Sequence, residues 1–141
     1  MQQLKEMLAY DDVRGVVRSS TGEIVVFHSP GVKDLYNLMA TRPHVLEGAC
    51  VADRVIGRGA ALLLVLGRVE RVFAQLISGQ AVPVLQDAGI RIDFDTLVPN
   101  IINRDGTDIC PVEKLTMNII QPELALEKIR EFLINNKIIE S

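Results

Sequence analysis

The spacing of apolar residues along the chain changes several times. Apolar side chains share one helical face in residues 4–8. Residues 13–18 and 23–28 are short apolar runs, and the Ser-Thr-Gly sequence at 20–22 is typical of a tight turn between strands. The start of the chain is therefore predicted to be a short helix followed by an antiparallel hairpin.

The most apolar stretch is residues 50–66, which follows a predicted helix over 32–39. Its second half is apolar on every side, as expected of a helix surrounded by other elements. In its first half, polar and small residues recur at helical spacing. This stripe consists of Cys50, Asp53, Arg54, Gly57, Arg58 and Ala61. We therefore predict a central helix over 50–66 whose polar stripe faces a cleft.

The second half of the chain predicts a crossover unit. Residues 69–77 are almost continuously apolar, residues 81–88 have a helical period, and residues 90–95 alternate. A strand, a helix and a strand with short links usually form a right-handed parallel crossover. Two helices are then predicted from Pro111 and Pro122. The order of elements predicts a single α/β domain over 1–141, a three-layer α/β/α sandwich with a mixed sheet.

Charge and composition exclude several classes of protein. The net charge of -3 includes no basic face of the density that nucleic-acid binding requires. The longest apolar run is too short to span a membrane, and the first residues lack the pattern of a signal peptide. We expect a cytoplasmic protein with free thiols, no nucleic acid or membrane among its partners, and a small polar or anionic molecule as its ligand.

The polar stripe has two interpretations. In the functional one, Asp53 acts as an acid, a base or a hydrogen-bond acceptor, while Arg54 and Arg58 hold an anion. In the structural one, Asp53 stabilises a helix N-terminus and Arg54 pairs outward.

A polar loop over 99–108 follows the last predicted strand, where open α/β sheets bind ligands. Its hydrogen-bonding side chains are Asn100, Asn103, Arg104, Asp105, Thr107 and Asp108. The alternative is a simple polar turn, because Asp-Gly is a common turn sequence.

Cys110 lies where a helix N-terminus could lower the pKa of a thiol and make it a nucleophile. Against this, neither His28 nor His44 is placed to act as its base, and a small buried residue before a helix is the alternative. The two histidines and the two cysteines, Cys50 and Cys110, also lack a recognised metal spacing. No metal and no cofactor are therefore predicted.

Two segments resemble a known family. They are Val-Ala-Asp-Arg-Val-Ile-Gly-Arg at 51–58, and Pro-Asn-Ile-Ile-Asn-Arg-Asp-Gly-Thr at 99–107 followed by Cys-Pro-Val-Glu-Lys at 110–114. They resemble a small prokaryotic family of unknown function that is grouped with the cytidine-deaminase-like fold. The resemblance implies a mixed sheet of about five strands between helices, and the frequent self-association of that fold suggests a homo-oligomer.

The sequence departs from the zinc deaminases at both of their signatures. A His-or-Cys-x-Glu motif would correspond to Val51-Ala52-Asp53, and Pro-Cys-x-x-Cys would correspond to residues 78–82, which contain no cysteine. Without these ligands there is no zinc-bound water for hydrolytic deamination. A pocket without a metal could still persist.

The combined hypothesis is a metal-free relative of the deaminase fold. Its ligand would lie in a cleft between the 50–61 helix and the 99–113 loop. The expected lining is Asp53, Arg54, Arg58, Ser78, Asn100, Asn103, Arg104, Asp105 and Cys110. Two alternatives remain: an enzyme that uses Asp53 or Cys110, and a structural or interaction module without a ligand.

Overall fold

The computed structural model describes residues 1–140, which form a mixed five-stranded sheet with helices. In chain order the elements are α1 (Gln2–Leu8), β1 (Gly15–Arg18), β2 (Ile24–Phe27), α2 (Lys33–Thr41), a 3-10 turn (Pro43–Val45), β3 (Cys50–Ile56), α3 (Arg58–Gly67), β4 (Arg71–Ser78), α4 (Val82–Asp87), β5 (Arg91–Val98), α5 (Pro111–Thr116) and α6 (Pro122–Asn135).

The strands lie in the order β2-β1-β3-β4-β5. β1 runs antiparallel to both β2 and β3, so the predicted hairpin is confirmed, with Gly15 opposite Phe27 and Arg18 opposite Ile24. β3, β4 and β5 are parallel to one another, and the predicted strand-helix-strand unit is the β4-α4-β5 connection. The carboxyl ends of three strands therefore meet at one edge of the sheet.

The prediction of one helix over 50–66 is wrong. Cys50–Ile56 forms β3, the central strand between β1 and β4, and α3 begins only at Arg58. The segment contains β-branched Val51, Val55 and Ile56, which favour a strand, and short apolar runs fit either period. Because side chains alternate along a strand, the polar residues of 50–56 do not share the stripe predicted for them.

The core has two parts, one on each face of the sheet. The larger one packs α2, α3, α4 and α6 against residues such as Val51 and Val72. The smaller one packs Leu4 and Leu8 of α1 against the other face. There the Lys5 ammonium also lies 4.3 Å from the centroid of the Phe73 ring, within cation-π range.

Helix α3 is surrounded on all sides, as its apolar sequence predicts. Leu62, Leu63 and Leu64 are all buried. Close contact with its neighbours explains a glycine at the start of this helix, because a Cβ on Gly59 would lie 2.5 Å from Val112 Cγ1 of α5. α3 ends at Gly67, and the next residue, Arg68, takes the left-handed conformation, with φ 62°.

Candidate functional site

The loops after the three parallel strands lie against one another. We call their junction the carboxyl edge and define it as residues 57–58, 78–80 and 99–101. The amide of Gly79 donates to the Val98 carbonyl at 2.7 Å. A Cβ on Gly57 would lie 3.2 Å from Ile101 Cγ1. The junction at Gly57 is therefore tight, whereas a Cβ on Gly79 would lie 3.5 Å from the Val98 carbonyl oxygen, an ordinary contact.

The Arg58 guanidinium is bound to three backbone carbonyls at this edge. It donates to Thr116 at 2.8 Å, to Gln80 at 3.2 Å and to Ile119 at 2.5 Å. Three of its five N–H donors are therefore used to join α3, the turn before α4 and the end of α5. This arginine is first a structural tie, and only its remaining donors are available to an anion.

Glu113 is the residue that the sequence analysis missed. Its side chain is 1% exposed, and its two carboxylate oxygens accept from different backbone amides. Oε1 accepts from Arg58 N at 2.7 Å, at the start of α3, and Oε2 accepts from Ile101 N at 2.5 Å. The sequence signal was its spacing of three from Thr116, since both face inward from α5.

Ser78 and Asn100 complete the polar groups of the carboxyl edge. Ser78 is buried, and its Oγ accepts from the Gln80 amide at 2.9 Å. The Asn100 Oδ1 atom is also buried, but it has no hydrogen-bond partner among the described residues. Most buried acceptors in folded proteins are paired, so this atom is an exception.

Arg54 lies on the face of the sheet that α1 covers. Its guanidinium donates to the carbonyls of Val13 at 2.7 Å, Tyr10 at 2.8 Å and Leu8 at 3.0 Å. It therefore holds the end of α1 and the following loop on β3. Three of its five N–H donors are thus bound to the protein's own backbone, as in Arg58. A role for Arg54 as an anion clamp rests on its two remaining donors and stays a prediction.

Asp53 adjoins Arg54 in sequence but points to the other face, because neighbouring strand residues alternate. It lies between two small residues, opposite Gly15 on β1 and Ala74 on β4. Although part of Asp53 remains exposed, burial raises the pKa of its carboxyl from 3.8 to about 7. The amides of Val55 and Arg54, and the charges of Arg14 and Arg54, partly oppose this rise.

Asp53 and the carboxyl edge are separate places. Asp53 precedes the last residue of β3 by three positions, roughly 10 Å along a strand. The tip of the 99–110 loop is separate again. There the side-chain oxygen Oδ1 of Asn103 accepts from the Thr107 backbone amide at 3.1 Å, and the backbone amide of Asn103 donates to the Asp108 carbonyl at 2.8 Å. The tip is a polar turn with exposed Arg104 and Asp105.

The last part of this loop is tied to α5. Lys114 forms an ion pair with Asp108, and this hydrogen bond is the main cause that lowers the pKa of the Asp108 carboxyl. Cys110 immediately precedes α5, is half-buried, and donates its amide to the Ile101 carbonyl at 2.8 Å. Cys50 lies at the far end of β3, about 20 Å from the carboxyl edge by strand length. Both thiols are free.

The predicted site residues therefore fall into three groups. Arg58, Ser78, Asn100 and Cys110 come together at or beside the carboxyl edge. Asp53 and Arg54 lie further back on opposite faces of β3, and the loop tip projects into solvent. The expected cleft between a 50–61 helix and the 99–113 loop is replaced by direct packing of this loop on the β3-α3 junction, through Ile101 and Glu113.

The described residues contain neither a cluster of metal-binding side chains nor a membrane-spanning helix. Within 1–140, no group of three or more His, Cys, Asp and Glu side chains is arranged to hold a metal ion. No helix in the same range is long and apolar enough to cross a membrane.

Comparisons with known proteins identify a family. No curated protein matches the chain. The chain is similar to a crystal structure at 2.70 Å resolution of the DUF1893 family protein TM1506 from Thermotoga maritima, with a TM-score of 0.83 and 23% identity over 93% of this chain and 88% of that one. Residues 3–133 match the family model TM1506, described as a domain of unknown function, DUF1893. The chain therefore belongs to the DUF1893 family.

Proposed function

We propose that this domain binds a small polar or anionic molecule at the carboxyl edge of its parallel strands, without a metal. The observation that carries the proposal is the unpaired Asn100 Oδ1 atom. Leaving a buried acceptor without a donor costs about 1–3 kcal/mol. A ligand that presents an N–H or O–H group to Asn100 would remove this cost.

The surroundings of Asn100 support a ligand of this kind. Open α/β sheets bind ligands outside the carboxyl ends of their strands. Arg58 supplies a fixed positive charge, partly balanced by Glu113, and two of its N–H donors are not used by the three carbonyls it binds. Ser78 and Cys110 are the other polar side chains in reach of this junction, and the half-buried Asn103 and the exposed Arg104 and Asp105 belong to the loop that continues from it.

We also infer that the fold is the three-layer, cytidine-deaminase-like arrangement. Helices packed on both faces of the sheet support this, as does the mixed strand order with β1 antiparallel. The elements that carry the deaminase zinc signatures would correspond to the starts of α3 and α4, where this chain has Gly57-Arg58-Gly59 and Gly79-Gln80-Ala81. The first of these replaces the expected correspondence with Val51-Ala52-Asp53, because those residues lie within β3 and do not open a helix. The two free thiols support a reducing compartment, the cytoplasm.

A thermal-shift screen tests the ligand proposal. The purified protein is tested against nucleosides, nucleotides, sugar phosphates and zinc. A ligand at a hundred times its dissociation constant adds about 2.7 kcal/mol of stability, which raises the melting temperature. We expect stabilisation by one class of polar compound, and we expect Asn100→Ala to abolish it.

The matched control is Asn118→Ala, which removes an exposed amide in the turn after α5. This variant should respond to the ligand like the wild type. Stabilisation that survives in Asn100→Ala, or a screen in which no compound raises the melting temperature, contradicts the proposal. Stabilisation by zinc alone contradicts the metal-free part.

A second candidate function is proton transfer by Asp53. A carboxyl that is partly exposed and has a pKa of about 7 can both accept and donate a proton near neutral pH. Incubating pooled metabolites with wild type and with Asp53→Asn, and following turnover by mass spectrometry, tests this function. Turnover that Asp53→Asn abolishes supports it, whereas turnover by both proteins contradicts it. Nucleophilic catalysis by Cys110 stays a prediction, tested by titrating the reactivity of its thiol.

A further inference from the structure

The outer edge of β5 is long and open. β5 is the last strand of the sheet and has eight residues, six of them exposed, whereas β2 at the opposite edge has only four residues. An edge strand presents a row of unpaired backbone N–H and C=O groups, to which another strand can pair. Short edge strands limit such pairing, so β5, and not the shorter β2, is the edge of this sheet at which another strand can pair.

Apolar side chains accompany this edge. Phe94 is 42% exposed and Leu97 is 53% exposed. Helix α1 packs on β1 and β3, and α4 is the helix that packs on β5. Much of the β5 surface therefore has no covering element within the described residues, although two of its largest side chains are apolar.

We propose that β5 is a homodimer interface, in which β5 of one chain pairs antiparallel with β5 of a second copy about a two-fold axis. The charges along β5 favour a second copy of the same strand as its pairing partner, and they set the register of the pairing. Arg91, Asp93 and Asp95 alternate along it, so in a regular strand they share one face. When the axis passes through Asp93, Arg91 of each copy lies opposite Asp95 of the other.

The alternative registers are less favourable. An axis through Ile92 places Arg91 opposite Asp93 of the other copy, but only residues 91–93 of β5 then lie opposite each other, compared with residues 91–95 in the proposed register. An axis through Phe94 places Asp93 of one copy opposite Asp95 of the other, twice, and an axis through Asp95 places two Asp95 side chains together. Like charges directly opposite each other destabilise paired strands. In the proposed register the two Asp93 side chains are opposite, but each is already paired with its own Arg71 at 3.0 Å. The same register sets Ile92 against Phe94 of the second copy.

Charged side chains on an edge strand often prevent pairing. Here they allow one specific pairing, because the pattern complements itself only when the strands run antiparallel. A two-fold axis perpendicular to the sheet keeps equivalent faces on the same side and closes the assembly at two chains. The product is one continuous sheet across the dimer.

Charge reversal at the paired positions tests the proposal. Arg91→Asp creates two Asp–Asp contacts in the dimer, and Asp95→Arg creates two Arg–Arg contacts. Analytical ultracentrifugation should show the wild type at twice the 15.6 kDa of one chain and each variant at 15.6 kDa. When the two variants are mixed, both contacts become Asp–Arg, so the mixture should form a heterodimer.

Controls separate this interface from general effects of charge. Arg104→Asp and Asp105→Arg make the same reversals in the exposed loop tip and should leave the dimer intact. Circular dichroism checks that the β5 variants are folded. If either variant is unfolded, hydrogen exchange of the wild type replaces the ultracentrifugation of the variants. The amides of residues 91–95 should then gain protection as the protein concentration rises.

Three results would overturn the proposal: a monomeric wild type, single variants that remain dimeric, or β5 amides whose protection does not change with concentration. Two monomeric variants that fail to associate on mixing overturn the register. None of these results depends on a ligand, so they stand apart from the thermal-shift screen of the carboxyl edge.

Discussion

The carboxylate of Glu113 accepts a hydrogen bond from the backbone amide of Arg58, 2.7 Å away, although the two residues are 55 positions apart in the sequence. The first amides of a helix have no partner within the helix. Glu113, on α5, supplies a hydrogen-bond partner to the first amide of α3. Its second carboxylate oxygen accepts from the Ile101 amide in the loop that precedes α5. This buried side chain thus joins α3, α5 and the 99–110 loop into one unit.

Replacing Glu113 with alanine should destabilise the fold strongly. The change removes two hydrogen bonds to a charged group, each worth about 1.5–3 kcal/mol, so we expect the free energy of unfolding to fall by ~3 kcal/mol or more. Urea denaturation followed by circular dichroism measures it. Glu127→Ala, which removes an exposed glutamate on α6, is the matched control and should change stability by less than ~0.5 kcal/mol. Equal stabilities of the two variants contradict the assigned role of Glu113.

Arg54→Ala should lower stability rather than act on a ligand. It removes three hydrogen bonds to carbonyls at the end of α1 and in the loop before β1, which we expect to cost about 2–4 kcal/mol. Arg54→Lys should recover little, because one ammonium cannot reproduce the planar fork of a guanidinium. Chemical denaturation measures both, with the exposed Arg130→Ala as control. An Arg54→Ala variant of wild-type stability would restore the hypothesis of a free anion clamp.

Gly59→Ala should destabilise α3 although alanine is the better helix former. The added methyl group would lie 2.5 Å from Val112 Cγ1, and the side chain of a β-branched valine has few ways to move aside. Because the contact is so short, we expect the clash to cost about 2–3 kcal/mol, against ~1 kcal/mol gained in helix propensity, for a net loss of about 1–2 kcal/mol. In the double variant with Val112→Ala the two costs should not add. A double-mutant cycle by urea denaturation measures the coupling, and additive costs contradict the contact.

Local signals in the sequence predict the outer elements of the fold correctly. The turn residues at 20–22, the proline starts at Pro111 and Pro122, and the alternation at 90–95 each specify structure within a few residues, and each corresponds to an element observed. The central strand was missed because 50–56 is short and mixes apolar and charged residues, so its period is ambiguous. This segment is a strand because it pairs with β1 and β4, and the local sequence of 50–56 does not specify those partners.

The candidate site was predictable only in its loops. The sequence indicates that residues 99–110 follow a strand and are polar, and the structure brings Asn100 to the junction of three strand ends. The roles of Arg54, Arg58 and Glu113 depend on backbone atoms from distant segments. No pattern of residue types specifies such partners. A charged residue within an apolar segment indicates a bond to a ligand and a bond to the protein's own backbone equally well.

The raised pKa of Asp53 predicts an unusual dependence of stability on pH. The carboxyl has a pKa of 3.8 in the reference state and of about 7 in the folded protein, so between these values the folded state binds more protons than the unfolded state. The stability that the protonated Asp53 carboxyl contributes is fully present below pH 3.8. It falls as the pH rises and is lost once the pH has passed about 7. At ~1.36 kcal/mol per pKa unit, the loss is on the order of 4 kcal/mol.

Asp53→Asn isolates this effect, because the amide resembles the protonated carboxyl and does not ionise. The variant and the wild type should have similar free energies of unfolding near pH 3.8, and the variant should be the more stable above pH 7, with the difference growing between these values. Urea denaturation across this range measures the difference, in which the titration of all other groups cancels. Asp105→Asn, which makes the same change at the exposed loop tip, is the matched control. If the difference between wild type and Asp53→Asn is constant across the range, the pKa of the Asp53 carboxyl is not raised by folding, and Asp53 loses the property that makes it a candidate for proton transfer.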